Sequence, residues 1–150
     1  MNPADARLLA TLDLTSLGED DSPAAIRALC AKAAASAVRP AAVCIYPEHI
    51  VAARAALEAA GATGVAVATV VNFPDGSNDP RRALSETRRA LAAGANEVDL
   101  VFPWRAYLAG DREAGPDMVR RCKAACGPRL LKAIIESGEL ADPMLIREIS

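Results

Sequence analysis

Asn96-Glu-Val-Asp-Leu-Val-Phe-Pro103 has the pattern of a buried strand that carries a charge at its centre. Period-two alternation places Asp99 with Glu97 on one face of this strand and Val98 with Leu100 on the other. A carboxylate removed from water loses several kcal/mol of hydration unless it is paired, hydrated in a cavity or protonated. The strand therefore presents an apolar face to helices and a polar face to a partner group.

A second strand pattern, Leu130-Leu-Lys-Ala-Ile-Ile-Glu136, offers that partner. Lys132 alternates onto one face with Ile134 and Glu136, so a charge again interrupts the strand. If the two strands are parallel neighbours, Asp99 and Lys132 can approach one another on one concave surface. This juxtaposition is our first site hypothesis.

The composition indicates one domain over residues 1–150 with helices packed on a sheet. The chain is 52% hydrophobic and 24% charged, with only 3% aromatic residues, which suits an α/β protein better than a β-sandwich. Its formal net charge of −2 provides no basic stripe for nucleic acid. No apolar run approaches the ~20 residues of a membrane helix, and the N-terminus lacks the order of a signal peptide. We expect a cytoplasmic protein that binds neither nucleic acid nor membranes.

The four cysteines form no CxxC pair and have no neighbouring histidine, so we expect buried, reduced thiols and no metal site. Cys44 differs from the others because it lies in a strand pattern, on the alternate face from Val43 and Ile45. We expect Cys44 to line the same cavity as Asp99.

Strand and helix patterns alternate five times along the chain. This alternation predicts right-handed crossovers and a parallel sheet. A doubly wound sheet would keep both strand faces apolar, whereas a β/α barrel tolerates polar residues on its inner face. The charges on the fourth and fifth strands favour the barrel. Strands are predicted at residues 11–17, 41–47, 65–71, 96–103 and 130–136, a short helix at 2–10, and main helices at 24–36, 48–60, 80–93, 116–126 and from 143 onward.

Five motifs then carry a family resemblance, which covers nearly the whole chain. In order and spacing they resemble the first five β/α units of bacterial deoxyribose-phosphate aldolases. The resemblance implies an α/β fold, a partial TIM (β/α) barrel of about five parallel strands with flanking helices. The motifs are Leu12-Asp-Leu-Thr15, Cys44-Ile-Tyr-Pro47, Val71-Asn-Phe-Pro-Asp-Gly76, Glu97-Val-Asp-Leu-Val-Phe-Pro103 and Leu131-Lys-Ala-Ile-Ile-Glu-Ser-Gly-Glu-Leu140.

The resemblance also implies a class I aldolase, a lyase that forms a Schiff base on an enzyme lysine and uses no metal or other cofactor. Such enzymes reversibly cleave 2-deoxy-D-ribose 5-phosphate into D-glyceraldehyde 3-phosphate and acetaldehyde, in deoxynucleoside catabolism. By position, Asp99 matches the proton donor and acceptor, and Lys132 matches a supporting charge beside it. The resemblance assigns four further residues to the substrate pocket, with Leu17 as an apolar contact: Asp13, Thr15, Leu17 and Cys44.

The sequence departs from the family pattern in one respect. The resemblance places the Schiff-base lysine on a sixth strand and the phosphate-binding loops on the last two, and no residue here matches either. We expect the 150 residues to be an N-terminal portion of an aldolase barrel that is inactive alone.

Two alternatives remain open. The chain could be a catalytically dead half-barrel that self-associates through exposed strand edges, as a homo-oligomer or a larger assembly. A flavodoxin-like phosphate-binding domain is a weaker alternative, in which Asp99 would face solvent or a helix.

Overall fold

The computed structural model describes residues 2–150 and has the expected α/β architecture. Five parallel strands form one sheet in the order β1-β2-β3-β4-β5, with helices flanking it. The predicted parallel sheet is therefore confirmed. The strands are β1 (Asp13–Ser16), β2 (Ala42–Ile45), β3 (Ala66–Val71), β4 (Glu97–Val101) and β5 (Leu130–Ile134). The helices are α1 (Pro3–Leu9), α2 (Pro23–Ala35), α3 (Ile50–Ala59), α4 (Pro80–Ala93), α5 (Trp104–Leu108), α6 (Ala114–Cys126), α7 (Ser137–Leu140) and α8 (Pro143–Ile149), with a 3-10 turn at Pro47–His49.

The chain divides into two compact units, and the division falls within β3, α4 and β4. Unit 1 comprises Met1–Thr69 and Ala90–Glu97, and unit 2 comprises Val70–Arg89 and Val98–Ser150. The single domain expected over residues 1–150 stays a prediction. Within residues 2–150, no helix is both long enough and apolar enough to cross a bilayer.

Unit 1 has a core in which helices α2 and α3 cover one face of its strands. Val43, Ile45 and Val67 project into this core, beside Ile26 of α2 and Leu57 of α3, and all five are at most 3% exposed. Alternate residues of the same strands point to the opposite face. That opposite face therefore carries Asp13 and Thr15 of β1 and the Cys44 thiol of β2.

Helix α4 shows how closely the local sequence determines a helix boundary. The Asp79 carboxylate accepts the backbone N–H groups of Arg81 and Arg82 at 3.0 and 3.1 Å, and Pro80 occupies the first helical position, which needs no N–H donor. Gly94 follows the helix with φ of +106°, a conformation that a β-carbon disfavours. The helix therefore runs over residues 80–93, as the sequence predicts.

The end of β5 differs from the prediction. We expected the strand to continue through Glu136, but it ends at Ile134 and is followed by the short helix α7. Glu136 has a left-handed conformation, with φ of +53°, and its carbonyl accepts the N–H of Leu140 at 3.0 Å. This reversal of the backbone ends the extended geometry, so Glu136 does not belong to a strand face.

Unit 2 has an aromatic core immediately after β4. Phe102, Trp104 and Tyr107 are at most 9% exposed and pack with Leu140. The Phe102 and Tyr107 rings meet edge to face, with centroids 5.6 Å apart. Three apolar residues of α8, Leu145, Ile146 and Ile149, pack against this cluster.

Gly115, in the first turn of α6, lies directly under the Phe102 ring. A β-carbon built on Gly115 would lie 1.9 Å from Phe102 Cζ and 2.0 Å from its Cε2, far inside van der Waals contact. Alanine favours a helix over glycine by about 1 kcal/mol, so the glycine is explained by this close approach and not by helix propensity.

We therefore expect Gly115→Ala to destabilise the protein by about 1–3 kcal/mol, the usual cost of overpacking a core. Urea unfolding followed by circular dichroism measures the change. Gly138→Ala in α7 is the control, because nothing lies within 4 Å of the added carbon. If Gly115→Ala is as stable as the original protein, contact with the Phe102 ring does not explain the glycine at this position.

Candidate active site

Asp99 and Lys132 form an ion pair between the adjacent strands β4 and β5, as the alternation pattern led us to expect. The Lys132 Nζ lies 3.1 Å from the Asp99 Oδ1. Asp99 as a residue is 8% exposed, whereas the Lys132 side chain is 35% exposed. The pair therefore has one buried member and one that reaches toward solvent.

This asymmetry suits proton transfer. An ammonium group at hydrogen-bonding distance favours the ionised form of a carboxylate, which can then accept a proton. The same pairing favours the charged form of the lysine, which is not nucleophilic. The roles that the resemblance gives these residues, Asp99 as the acid-base group and Lys132 as its supporting charge, stay predictions.

The peptide unit between Val101 and Phe102, just beyond Asp99, is held from both sides. Its carbonyl accepts a hydrogen bond from Asn72 Nδ2 at 3.0 Å. Its N–H donates to the Ile134 carbonyl of β5 at 2.9 Å. The carboxyl end of β4 is therefore fixed two residues after the ion pair.

Asn72 is fully buried at the point where the chain leaves β3. Its Nδ2 also donates to the Ser77 carbonyl at 2.9 Å, and its Oδ1 accepts from the Ser77 hydroxyl at 2.8 Å. Its backbone N–H donates to Glu86 of α4 at 2.7 Å. The amide group thus satisfies its polar atoms inside unit 2, which removes the cost of burying them.

Arg82 of α4 forms an ion pair with the loop of residues 72–77. Its Nε donates to Glu86 at 2.8 Å and its Nη1 donates to Asp75 at 3.0 Å. The hydrogen bond to Glu86, and then the pairing with Asp75, raises the pKa of the Arg82 guanidinium above its ordinary value. Both acceptors belong to unit 2, so the Arg82 guanidinium links α4 to the loop.

The four predicted pocket residues all lie in unit 1. Thr15 of β1 pairs in register with Cys44 of β2, and Asp13 pairs with Ala42. These side chains share the face opposite to the one that α2 and α3 cover. Cys44 is buried, and Leu17 is half-buried just past the end of β1. The structure thus brings Asp13, Thr15 and Cys44 to one strand face, and it brings Asp99 and Lys132 together in unit 2.

The other three cysteines do not contribute reactive thiols. Burial raises the pKa of Cys30, Cys122 and Cys126, so their thiolate forms are scarce at neutral pH. Over residues 2–150 there is no group of three His, Cys, Asp or Glu side chains that could hold a metal ion.

Sequence reasoning missed Asn72, Arg82 and Glu86 as parts of this region. The four-residue spacing of Arg82 and Glu86 on a helix predicts their ion pair, and that signal was available. The contact of Asn72 with Val101 had no local signal, because the two residues are 29 positions apart.

Comparison with protein families matches the DeoC/LacD family aldolases over residues 7–146. The chain belongs to the DeoC/LacD aldolase family. This confirms the resemblance drawn from the five motifs.

Solved aldolase structures share this family fold. A protein from Coccidioides immitis, provisionally assigned as a deoxyribose-phosphate aldolase, is 26% identical with a TM-score of 0.81, over 89% of this chain and 51% of its own. A protein from Toxoplasma gondii with the same provisional assignment is 25% identical with a TM-score of 0.85. The match covers 96% of this chain and 55% of the Toxoplasma gondii chain. The tetrameric deoxyribose phosphate aldolase from Aeropyrum pernix is 22% identical with a TM-score of 0.76, and the match covers 96% of this chain and 58% of that one. At this identity it supports the fold alone.

The chain thus spans little more than half the length of the aldolases that it matches. Those structures are TIM-barrel aldolases, and the five parallel strands of this chain correspond to part of such a barrel. The predicted fold class, a partial β/α barrel, is confirmed.

The ion pair itself makes a testable prediction. Lys132→Met leaves the carboxylate of Asp99 without its counter-charge and should destabilise the protein by about 1–3 kcal/mol, less than for a fully buried pair because the lysine reaches solvent. Asp99→Asn in the same background should recover part of this loss. Urea unfolding of the four members of the double-mutant cycle measures the coupling, and strictly additive effects would contradict a direct interaction.

Proposed function

We propose that this protein acts in the aldol cleavage of 2-deoxy-D-ribose 5-phosphate to D-glyceraldehyde 3-phosphate and acetaldehyde. The observation that carries the proposal is the Asp99–Lys132 pair, 3.1 Å apart on β4 and β5 of a DeoC/LacD family chain. The resemblance drawn from the sequence gives these two positions to the proton-transfer machinery of the deoxyribose-phosphate aldolases.

The proposed chemistry is that of a class I aldolase. A protonated imine on an enzyme lysine is a better electron sink than a carbonyl, so it stabilises the carbanion left when the carbon-carbon bond breaks. Asp99 moves the protons that accompany imine formation and carbon-carbon cleavage, and Lys132 holds Asp99 in its ionised form. Asp13, Thr15, Leu17 and Cys44 are proposed to contact the sugar phosphate or the aldehydes.

The three lysines of this chain are not proposed as imine formers. Lys132 is paired with a carboxylate, and the Lys123 ammonium donates to the carbonyls of Gly127 and Arg129 at 3.1 and 2.7 Å. Lys32 is exposed on α2. The resemblance places the imine-forming lysine on a sixth strand, so the proposal concerns the whole protein, for which we also propose a cytoplasmic location in deoxynucleoside catabolism.

The test uses the product of the native gene, from its own start codon to its own stop codon. We expect it to release D-glyceraldehyde 3-phosphate from 2-deoxy-D-ribose 5-phosphate, detected by a coupled dehydrogenase assay. Asp99→Asn should lower kcat by about 10²–10⁴-fold, the usual contribution of a general acid-base group. Arg120→Gln on the exposed surface of α6 is the control and should leave kcat unchanged. A native gene product without aldol activity would refute the function.

The 150-residue chain alone should show background activity. Incubation with acetaldehyde and borohydride, followed by intact mass measurement, should give no stoichiometric adduct. An adduct on Lys132 would show that this residue forms the imine and would contradict its role as a supporting charge.

A second proposal is that this chain self-associates through its strand edges. The two edge strands of the sheet, β1 and β5, have exposed apolar residues at their ends, with Leu12 47% and Leu130 49% exposed. Unpaired strand edges with apolar side chains favour association.

We therefore expect the 150-residue chain to be dimeric or larger in solution. Light scattering coupled to size-exclusion chromatography measures the mass. Leu130→Lys should lower that mass, whereas Val51→Lys, at an exposed position of α3, should not. A chain that is monomeric at all concentrations would contradict the proposal.

A further inference from the structure

Asn72 marks the point where the backbone leaves the sheet but hydrogen bonding to the neighbouring strand continues. β3 ends at Val71, and Asn72 has φ of +55°, a left-handed conformation that asparagine adopts more readily than most residues. The main chain therefore turns into the loop of residues 72–77, and its own N–H points to Glu86.

The side chain of Asn72 hydrogen-bonds to the neighbouring strand where the main chain no longer does. Its Nδ2 donates to the Val101 carbonyl at the end of β4. Because the next N–H, from Phe102 just after β4, donates to the Ile134 carbonyl of β5, the Val101–Phe102 peptide unit is bonded on both sides. The Asn72 amide thus adds one hydrogen bond between β3 and β4 beyond Val71, the last residue of β3.

This bond lies next to the candidate acid-base group. Val101 is two residues after Asp99 and on the same side of β4, and Ile134 stands in the same relation to Lys132. The orientation of the Asp99 carboxylate depends on the backbone that carries it, so a fixed Val101–Phe102 peptide limits how far Asp99 can rotate away from Lys132.

We infer that Asn72 is a positioning residue, which fixes the carboxyl end of β4 through the Val101 carbonyl and thereby holds Asp99 against Lys132. The catalytic consequence of this role rests on the proposed function, whereas its structural consequence does not.

The chemistry of the contact requires an amide. Nδ2 donates to two carbonyls, those of Ser77 and Val101, while Oδ1 accepts from the Ser77 hydroxyl. A carboxylate has no donor and would face the Val101 carbonyl with a second oxygen. Asn72→Asp therefore keeps the size of the side chain but removes the donor and adds a negative charge, and Asn72→Gly removes the side chain but tolerates the left-handed backbone.

Thr69→Val, on β3, is a matched control. The Thr69 hydroxyl is fully buried and donates to the Ile45 carbonyl of β2 at 2.8 Å. Its loss removes a buried hydrogen bond of similar type, but one that joins β3 to β2 within unit 1. Effects shared by all three variants reflect lost stability, and effects confined to Asn72 report positioning.

The structural test is made by NMR. In the unmodified 150-residue chain, a scalar coupling across the hydrogen bond should connect the Asn72 Nδ2 with the Val101 carbonyl carbon. In both Asn72 variants, we expect the Phe102 amide to exchange with solvent at least about tenfold faster and the Asp99 Cγ resonance to shift, while Thr69→Val leaves both as they are. An absent coupling, or variants with unchanged Phe102 exchange and Asp99 signals, would overturn the inference. Because the coupling is measured on the unmodified chain, the test does not depend on the variants folding.

The catalytic test uses the native gene product. Asn72→Gly should lower kcat by about 10–100-fold, as expected for a small misplacement of a reacting group, and should leave KM little changed. Thr69→Val should leave both kcat and KM unchanged. Unchanged kcat in an active enzyme would overturn the catalytic role. An inactive native gene product with the expected NMR result would refute the proposed function and leave the positioning of Asp99 intact.

Discussion

The burial of one carboxylate sets the conditions for the rest of unit 2. Asp99 is 8% exposed at the centre of β4, and such a charge requires compensation close by. Lys132 supplies it at 3.1 Å, which ties β5 to β4. An apolar pair of similar volume would often be as stable or more so, so stability alone does not explain why a strand of a parallel sheet carries this charge. The proposed function would explain it, because that function requires a titratable group at this point.

Two asparagines extend the sheet by their side chains, each within its own unit. In unit 2, Asn72 donates to the Val101 carbonyl after the end of β3. In unit 1, Asn96 lies just before β4, where its Oδ1 accepts the N–H of Val67 at 2.9 Å. Arg54 donates to the Gly94 carbonyl at 3.1 Å beside it. In β/α barrels the carboxyl ends of strands carry the chemistry and the amino ends serve stability. Asn96 lies at the amino end of β4, whereas Asn72 lies at the carboxyl end of β3, so under the proposed function this rule assigns Asn96 to stability and Asn72 to the chemistry.

The sequence predicts much of this arrangement, and its failures have a common physical cause. The five strands, α4 with its cap and the approach of Asp99 to Lys132 follow from periodicity and from local turn chemistry. The left-handed turn at Glu136 breaks a pattern that alternates correctly up to Ile134, and periodicity contains no information about such a reversal. Asn72 in a loop rich in turn formers is unremarkable by composition. Its role depends on a carbonyl 29 residues away, which only the fold brings within reach.

The distribution of lysines argues for a division of labour within the proposed enzyme. An imine-forming amine must be uncharged for part of the time and must reach the substrate. Lys132 lies against a carboxylate, and the Lys123 ammonium donates to two carbonyl oxygens. The polar groups gathered around β4 instead suit the transfer and orientation of protons. If the proposed function holds, these five units supply the acid-base half of the reaction, and the covalent half depends on a lysine from outside them. The geometry around Asp99 then matters more for rate than for binding, because a proton donor acts only when it is correctly oriented at the moment of transfer.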